Sequence, residues 1–354
     1  MSKFWSPLAA SLVPYVPGEQ PKDKQYIKLN TNENPYPPSP KVIEAIQAAA
    51  NEDLRLYPDP TSGALVQSLA SYFKVSPSQV FVGNGSDEVL AFAFAAFFDP
   101  AKPVLFADIT YSFYKVYAEF YGLQADLIPL DEQFRMPLEQ FNTRENGGIV
   151  IPNPNAPTAM LVPVDEFRSI LEHNRDQVVI IDEAYIDFGG ESAVKLVADY
   201  PNVLVIQTLS KSRSLAGLRV GWAIGSEELI DGLNRVKNSF NSYTLDRLAL
   251  AGAVAAIEDE DYFQEITVKV NQTRDQTAVR LRELGFVVTD STANFLFISH
   301  PDQAAEHIFQ KLREQGVLVR YFKQPRIEHY LRVSIGTDEE MDVFLNVIAD
   351  IVKP

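Results

Sequence analysis

Five short runs between residues 80 and 206 are apolar at every position: Val80–Val82, Val104–Phe106, Ile149–Ile151, Val178–Ile181 and Val203–Ile206. A strand with one wet face alternates apolar and polar residues, whereas a strand covered on both faces does not. Longer stretches of helical character separate the runs. Strands and helices in alternation argue for an α/β architecture, a mostly parallel sheet clothed by helices.

The flanking regions read differently. Residues 1–40 carry Pro14, Pro17, Pro21, Pro35, Pro37, Pro38 and Pro40, which suits an extended arm that lies on a partner or a second domain. Helices are expected from near Pro40 to Ala50 and again after Ser62. After about residue 250 the texture changes. A charged helical stretch (Asp259–Leu284), a strand at Ala293–Ile298, a helix (Ala304–Gln315), strands at Val317–Tyr321 and Leu331–Ile335 and a closing helix (Glu339–Val352) make a compact α+β unit. The expected organisation is an N-terminal arm (1–40), a large domain (41–250) and a small C-terminal domain (251–354). The arm and first helix are candidates to pack with the small domain. A chain of 354 residues is long for one core.

Composition narrows the function. The net charge is −16 and no long basic run occurs, which argues against a nucleic-acid partner. Cysteine is absent, so disulfides, thiolate catalysis and cysteine-held zinc are excluded. His173, His300, His307 and His329 have no metal-ligand spacing. The N-terminus lacks a signal-like apolar core, and Val89–Phe98 is too short to span a bilayer. A cytoplasmic protein without a membrane partner is expected.

Ligands of open α/β sheets bind beyond the carboxyl ends of the strands. There the sequence supplies Gly83-Asn84-Gly85-Ser86-Asp87-Glu88, Asp108 to Tyr111, Pro152 to Thr158, Asp182-Glu183-Ala184-Tyr185, and Gln207 to Lys211 followed by Arg219. Lys211, just past a strand, can present an amine in a cleft and form a Schiff base with an aldehyde cofactor. Arg219 offers a forked cation for a phosphate. An amine beside a phosphate site is what pyridoxal phosphate (PLP) requires. In that reading Asp182 pairs with the ring nitrogen, Tyr185 bonds the ring oxygen and Tyr111 stacks on the ring. The amides of Gly85, Ser86 and Asp87, with Thr208, Ser210 and Arg219, hold the phosphate. Lys211 also moves the reacting proton. Taken singly, Asp182 reads equally as a helix cap, Tyr111 as core and Lys211 as a solvated lysine. The weight lies in their common position at one rim.

These segments resemble the fold-type I aminotransferases, and within them the histidinol-phosphate aminotransferase family. The likeness runs from Leu12-Val13-Pro14-Tyr15 through Leu29–Tyr36, Arg55–Pro60, Gly83–Glu88, Asp182–Tyr185 and Ser210–Gly221 to Leu331–Thr337. It implies a large PLP domain with a smaller C-terminal domain, and amino transfer between histidinol phosphate and 2-oxoglutarate in histidine biosynthesis. It also implies a homodimer with shared sites, in which Tyr57 reaches the neighbour's cofactor phosphate. Tyr15, Asn34, Arg320 and Arg332 would contact the substrate. One segment departs from the family's Asn-Pro-Thr-Gly: Asn155-Ala156-Pro157-Thr158-Ala159 stands there instead. Ala156 cannot bond the ring oxygen, and Asn155 is the candidate to replace it. The rival readings are an aromatic amino-acid transaminase, a PLP-dependent decarboxylase of a phosphorylated amino acid, and a non-catalytic PLP-sensing domain.

Overall fold

A computed structural model describes residues 3–14 and 18–353. Its centre is a seven-stranded sheet made of β1 (Val80–Gly83), β2 (Val104–Ala107), β3 (Ala125–Ile128), β4 (Gly148–Pro152), β5 (Val179–Asp182), β6 (Val203–Thr208) and β7 (Gly221–Gly225). The spatial order is β1-β7-β6-β5-β4-β2-β3. Every pairing is parallel except those of β7, which runs against both β6 and β1.

The continuous apolar runs have the expected cause. Ile149, Ile151, Val179, Ile181, Val203 and Val205 pack into one core with Val42, Leu65, Phe167 and Ala253. Val150, Ile180, Leu204 and Ile206 pack into a second core on the other face, with Leu90, Phe94 and Leu233. Successive residues point to opposite faces, so a strand buried on both sides must be apolar throughout.

Two strands have no such run. β3 is an edge strand with only one sheet neighbour, and its Ala-Asp-Leu-Ile is partly exposed. β7 reads Gly-Trp-Ala-Ile-Gly and is buried at every position. A Cβ on Gly221 would lie 2.4 Å from the Ser86 nitrogen, so only glycine lets β7 pass the turn that follows β1.

Beyond the sheet, β8 (Val287–Val288), β9 (Phe295–Ser299), β10 (Arg320–Tyr321) and β11 (Leu331–Ser334) form a four-stranded antiparallel sheet in the order β10-β11-β9-β8. The helices Glu260–Glu283, Ala305–Glu314 and Asp338–Val352 cover it around Leu281, Ile298, Ile308, Val333 and Phe344. The single strand expected at Val317–Tyr321 is broken. Val317–Leu318 pairs in parallel with Ile27–Lys28, and only Arg320–Tyr321 joins β11. The stretch expected as an extended arm therefore divides. Pro7–Ser11 is a short helix with no buried residue, whereas Leu29 is 1% exposed and belongs to the core of the antiparallel unit. Among the described residues no helix is long and apolar enough to cross a membrane.

Candidate active site

The carboxyl ends of the sheet surround a cavity of about 180 Å3. Beyond β1 the chain turns through Gly85 at φ +79° into the helix Gly85–Phe97, which aims its first amides at the cavity, where Ser86 and Asp87 line the wall. A Cβ on Gly85 would lie 2.7 Å from Arg219 Nη2, so the guanidinium rests directly against the helix start. Arg219 Nη2 donates to Asp87 Oδ2 at 3.0 Å, and the Tyr111 hydroxyl donates to Asp87 Oδ1 at 2.9 Å. Thr208 Oγ1 lies 2.9 Å from Ser210 Oγ and accepts the Ser210 N–H at 3.1 Å, and both residues line the same cavity. Helix amides, hydroxyls and a guanidinium within one wall could hold a phosphate.

Asp182 ends β5 and is 5% exposed. The Tyr114 hydroxyl donates to its Oδ2 at 2.7 Å and the Ala184 N–H to its Oδ1 at 3.3 Å. Burial nevertheless pushes its carboxyl up to about 6, against the pull of those two donors and of Lys211. A buried carboxylate of this kind suits a cationic nitrogen. Tyr114 itself is held well above the ordinary phenol range by burial and by Asp182. Burial, with Asp87 beside it, does the same to Tyr111.

Lys211 follows β6 and lines this cavity and a neighbouring one of about 490 Å3. Its Nζ stands 5.6 Å from the centre of the Tyr185 ring. Asn34 Nδ2 fixes the lysine's backbone by donating to the carbonyl oxygens of Lys211 at 3.0 Å and Ser212 at 3.3 Å. Tyr111, Ala156 and Tyr185 also border both cavities.

The larger cavity carries Arg320 and Arg332, which face each other across β10 and β11. Arg332 Nη2 donates to the Asn30 carbonyl at 2.9 Å, and its guanidinium stands 5.5 Å from the Phe295 ring and 5.9 Å from Phe322. Arg320 stands 5.8 Å from the same Phe322 ring. Two guanidinium groups in one cavity suit a doubly charged anion or a carboxylate.

Among the expected residues, Asn34, Asn155 and Tyr57 line neither cavity, Asn34 being engaged with the Lys211 backbone. Asn155 is buried behind the wall: its Nδ2 donates to the Ile109 carbonyl at 3.0 Å and to Thr158 Oγ1 at 2.9 Å, and its Oδ1 accepts from Thr110 at 3.0 Å. Its neighbour Ala156 faces the cavities instead. Tyr57 is 78% exposed, away from both cavities, with its ring 4.7 Å from that of Tyr243. Tyr15 falls outside the described residues.

The structure also adds residues. Tyr114 reaches Asp182 from the helix Phe113–Phe120, one turn past Tyr111. Asn32 reaches the Tyr185 hydroxyl with its Nδ2 at 3.0 Å. Glu33 lines the smaller cavity; burial pushes its carboxyl up, but hydrogen bonds from Lys28 and Thr31 outweigh this and keep it below its ordinary range. Asn32 and Glu33 sit in the polar run Asn30–Asn34, where residue type alone does not show which side chains turn inward. Tyr114 also packs in the core on one face of the sheet, as a tyrosine on an amphipathic helix does without any site role.

Residues 24–348 match the aminotransferase class I and II family. The histidinol-phosphate aminotransferase of Clostridium acetobutylicum is 60% identical over 352 residues, 99% of this chain and 100% of that protein. That of Clostridium beijerinckii is 56% identical over 353 residues, covering 100% and 98%. The crystal structure of histidinol-phosphate aminotransferase from Sinorhizobium meliloti in complex with pyridoxal-5'-phosphate superposes with a TM-score of 0.90 over 99% of this chain and 98% of that one; at 24% identity this is a likeness of fold. A family match over residues 24–348 and relatives of 56–60% identity over nearly the whole chain agree, and the chain belongs to the class I and II aminotransferases, in the histidinol-phosphate aminotransferase family.

Proposed function

We propose that this chain is a transaminase that uses PLP to exchange an amino group between histidinol phosphate and 2-oxoglutarate, a reaction of histidine biosynthesis. One observation carries the reading. Lys211 stands on the boundary between a small cavity ending at Asp182 and a phosphate-suited wall, and a larger cavity holding Arg320 and Arg332. The donor set fits PLP: a buried carboxylate for the ring nitrogen, a phenol for the ring oxygen, and helix amides, hydroxyls and Arg219 for the phosphate.

When bound, PLP supplies an electron sink that makes the substrate's amine-bearing carbon acidic. The protein's residues do the rest. Lys211 Nζ would take the proton from that carbon and deliver it to the cofactor carbon that carried the aldehyde, and the reverse in the other half of the exchange. Asp182, ionised against the ring nitrogen, keeps that nitrogen protonated. Tyr185 donates to the ring oxygen and Tyr111 covers the ring face. Gly85, Ser86, Asp87, Thr208, Ser210 and Arg219 hold the phosphate. Asn34 sets the backbone of Lys211, and Asn155 holds the loop that presents Ala156. Arg320 and Arg332 receive the substrate phosphate in one half of the exchange and the glutamate carboxylate in the other.

The same reading includes a homodimer in the cytoplasm. Exposed Leu54, Leu56, Tyr57 and Tyr243 offer an apolar surface, and neither cavity is lined by any residue between 35 and 80. Tyr57 of a second copy would complete the phosphate wall. Separate cores support a cofactor-binding body and a smaller unit, expected at 41–250 and 251–354; Ala253, Ala256 and Ile257 pack in the larger core, and Leu29 and Phe188 in the smaller.

The test is turnover by the purified protein with 2-oxoglutarate. Histidinol phosphate should exceed phenylalanine in kcat/KM by at least about a hundredfold, the worth of one charge-assisted anchor. Equal or better use of phenylalanine would make it an aromatic transaminase. Release of carbon dioxide from a phosphorylated amino acid, without need of 2-oxoglutarate, would make it a decarboxylase.

A further inference from the structure

The Tyr185 hydroxyl has one proton to give, and what decides its direction is Asn32. This residue is 1% exposed and sits at φ +55°, a left-handed conformation that asparagine tolerates but does not prefer. All four of its polar groups are engaged. Its N–H donates to Ser334 Oγ at 2.8 Å, and its Oδ1 accepts from the same hydroxyl at 2.9 Å. Its carbonyl accepts from Asn294 Nδ2 at 3.0 Å, and its Nδ2 donates to Tyr185 Oη at 3.0 Å. The amide cannot be turned over without loss. With Nδ2 toward Ser334, that serine, 2% exposed, would keep a proton with no acceptor. Ser334 thus fixes the amide, and the amide obliges Tyr185 to accept from it. The phenol's own proton then has no acceptor among the described residues and is left to the cavity that Tyr185 lines.

We propose that Asn32 is a positioning residue that aims the Tyr185 proton at the cofactor's ring oxygen. The aim is mounted on the antiparallel unit. Arg332 and Ser334 stand two apart on β11, hence on one face, and grip Asn30 and Asn32, also two apart. Substrate anion and phenol direction are in this way referred to one strand. The proposal rests on the reading that Tyr185 faces PLP.

The test uses the holoenzyme without substrate. Its near-visible absorbance is followed against pH, and PLP affinity is measured by titrating the apoprotein. Asn32→Gly deletes the amide and suits the left-handed backbone, and it leaves the neighbouring charges Lys211 and Arg332 in place. A phenol that donates to a charged ring oxygen holds the ring in that form. Its loss should raise the midpoint of the absorbance change by about one to two pH units, the size of one hydrogen bond to a charged group. PLP affinity should fall about tenfold for the same reason. Tyr185→Phe should give a similar shift, and Asn32→Gly added to it should give none. Ser334→Ala frees the amide to rotate and removes the acceptor of the Asn32 N–H; it should shift the midpoint in the same direction by less, and it serves if Asn32→Gly does not fold.

An unchanged midpoint in Asn32→Gly beside a shifted one in Tyr185→Phe overturns the proposal and leaves the transaminase reading intact. So does an undiminished effect of Asn32→Gly in the Tyr185→Phe background. No shift in Tyr185→Phe itself overturns the placement of Tyr185 and the proposal with it.

Discussion

The smaller cavity takes most of its polar groups from the ends of strands in one sheet, with Thr31 and Glu33 added from the N-terminal segment, whereas the larger one is closed by segments far apart in the chain: Gly18 and Asn30–Asn32, Thr110–Ser112, Ala156–Pro157 and Arg320–Gln324 with Arg332. The first follows from parallel pairing, which brings every carboxyl end to the same side. The second needs two further agreements. Ile27–Lys28 must pair with Val317–Leu318, and the segment after β10 must dock on the large sheet. Arg326 makes that docking, through an ion pair with Asp108 at 2.8 Å and bonds to the carbonyls of Leu130 at 2.7 Å and Asp131 at 2.9 Å. In the proposed reading, PLP chemistry would sit on the side built from one sheet and substrate discrimination on the side built from segments distant in sequence.

Substitutions can separate the two cavities. The largest effect is expected at their boundary. Lys211→Ala should leave a folded protein with no turnover and no absorbance band of lysine-bound PLP; a variant that keeps both would remove Lys211 from the chemistry. Next is Asp182→Asn, where loss of a buried charge partner costs about 3–5 kcal/mol, or some two to four orders of magnitude in proton abstraction, with PLP still bound. Near-normal turnover would mean that another group faces the ring nitrogen.

Arg332→Ala acts on the larger cavity alone. We expect kcat/KM for histidinol phosphate to fall about a hundredfold while PLP affinity is unchanged, since one charge-assisted anchor is lost. Equal damage to PLP binding would show that the two cavities are not separable. The dimer is tested by mixing Lys211→Ala with Tyr57→Phe subunits. If sites are shared, random hybrids hold one site with both lesions and one with neither, and activity should recover to about a quarter of wild type. A fully active monomer in sedimentation would sink the idea.

The smallest effect is on stability. Glu183 is buried beneath the rim, and burial lifts its carboxyl from 4.5 to about 7 despite donors on Ala193, Ser192 and Gln207. Its folded pKa lies above the unfolded one, so the folded state binds the proton more tightly. Stability should therefore be lost as pH rises from about 4.5 to 7, by roughly 2–3 kcal/mol from this group. Asp182 acts with the same sign in the apoprotein, between 3.8 and about 6. Melting curves of apo Glu183→Gln should be flatter across that window; an unchanged slope would assign the dependence to other groups.

Part of the smaller cavity was legible because Ser86, Tyr111, Asp182, Tyr185 and Lys211 each lie just past an apolar run of the kind a doubly covered strand needs, and they line it together with Arg219, downstream of Lys211. Tyr114 was not, because a tyrosine on an amphipathic helix looks the same whether or not its hydroxyl finds a carboxylate. The strands at Ala125–Ile128 and Gly221–Gly225 lacked a run, one for exposure at the sheet edge and the other for its glycines. Asn32 was invisible as a positioning group, since its orientation is set by Ser334, 302 residues away.

Five strands of the central sheet, the rim they form and the residue types along it are readable from short runs, because strand burial and strand-end position are local properties. Which way the rim side chains face is a matter of tertiary packing. It turned Asn155 into the wall and Ala156 toward the cavity, left Tyr57 on the surface, and joined Asn30 and Asn32 to Arg332 and Ser334. Those outcomes depend on hydrogen-bond partners supplied by distant segments, and a buried polar group takes whichever orientation satisfies every partner around it.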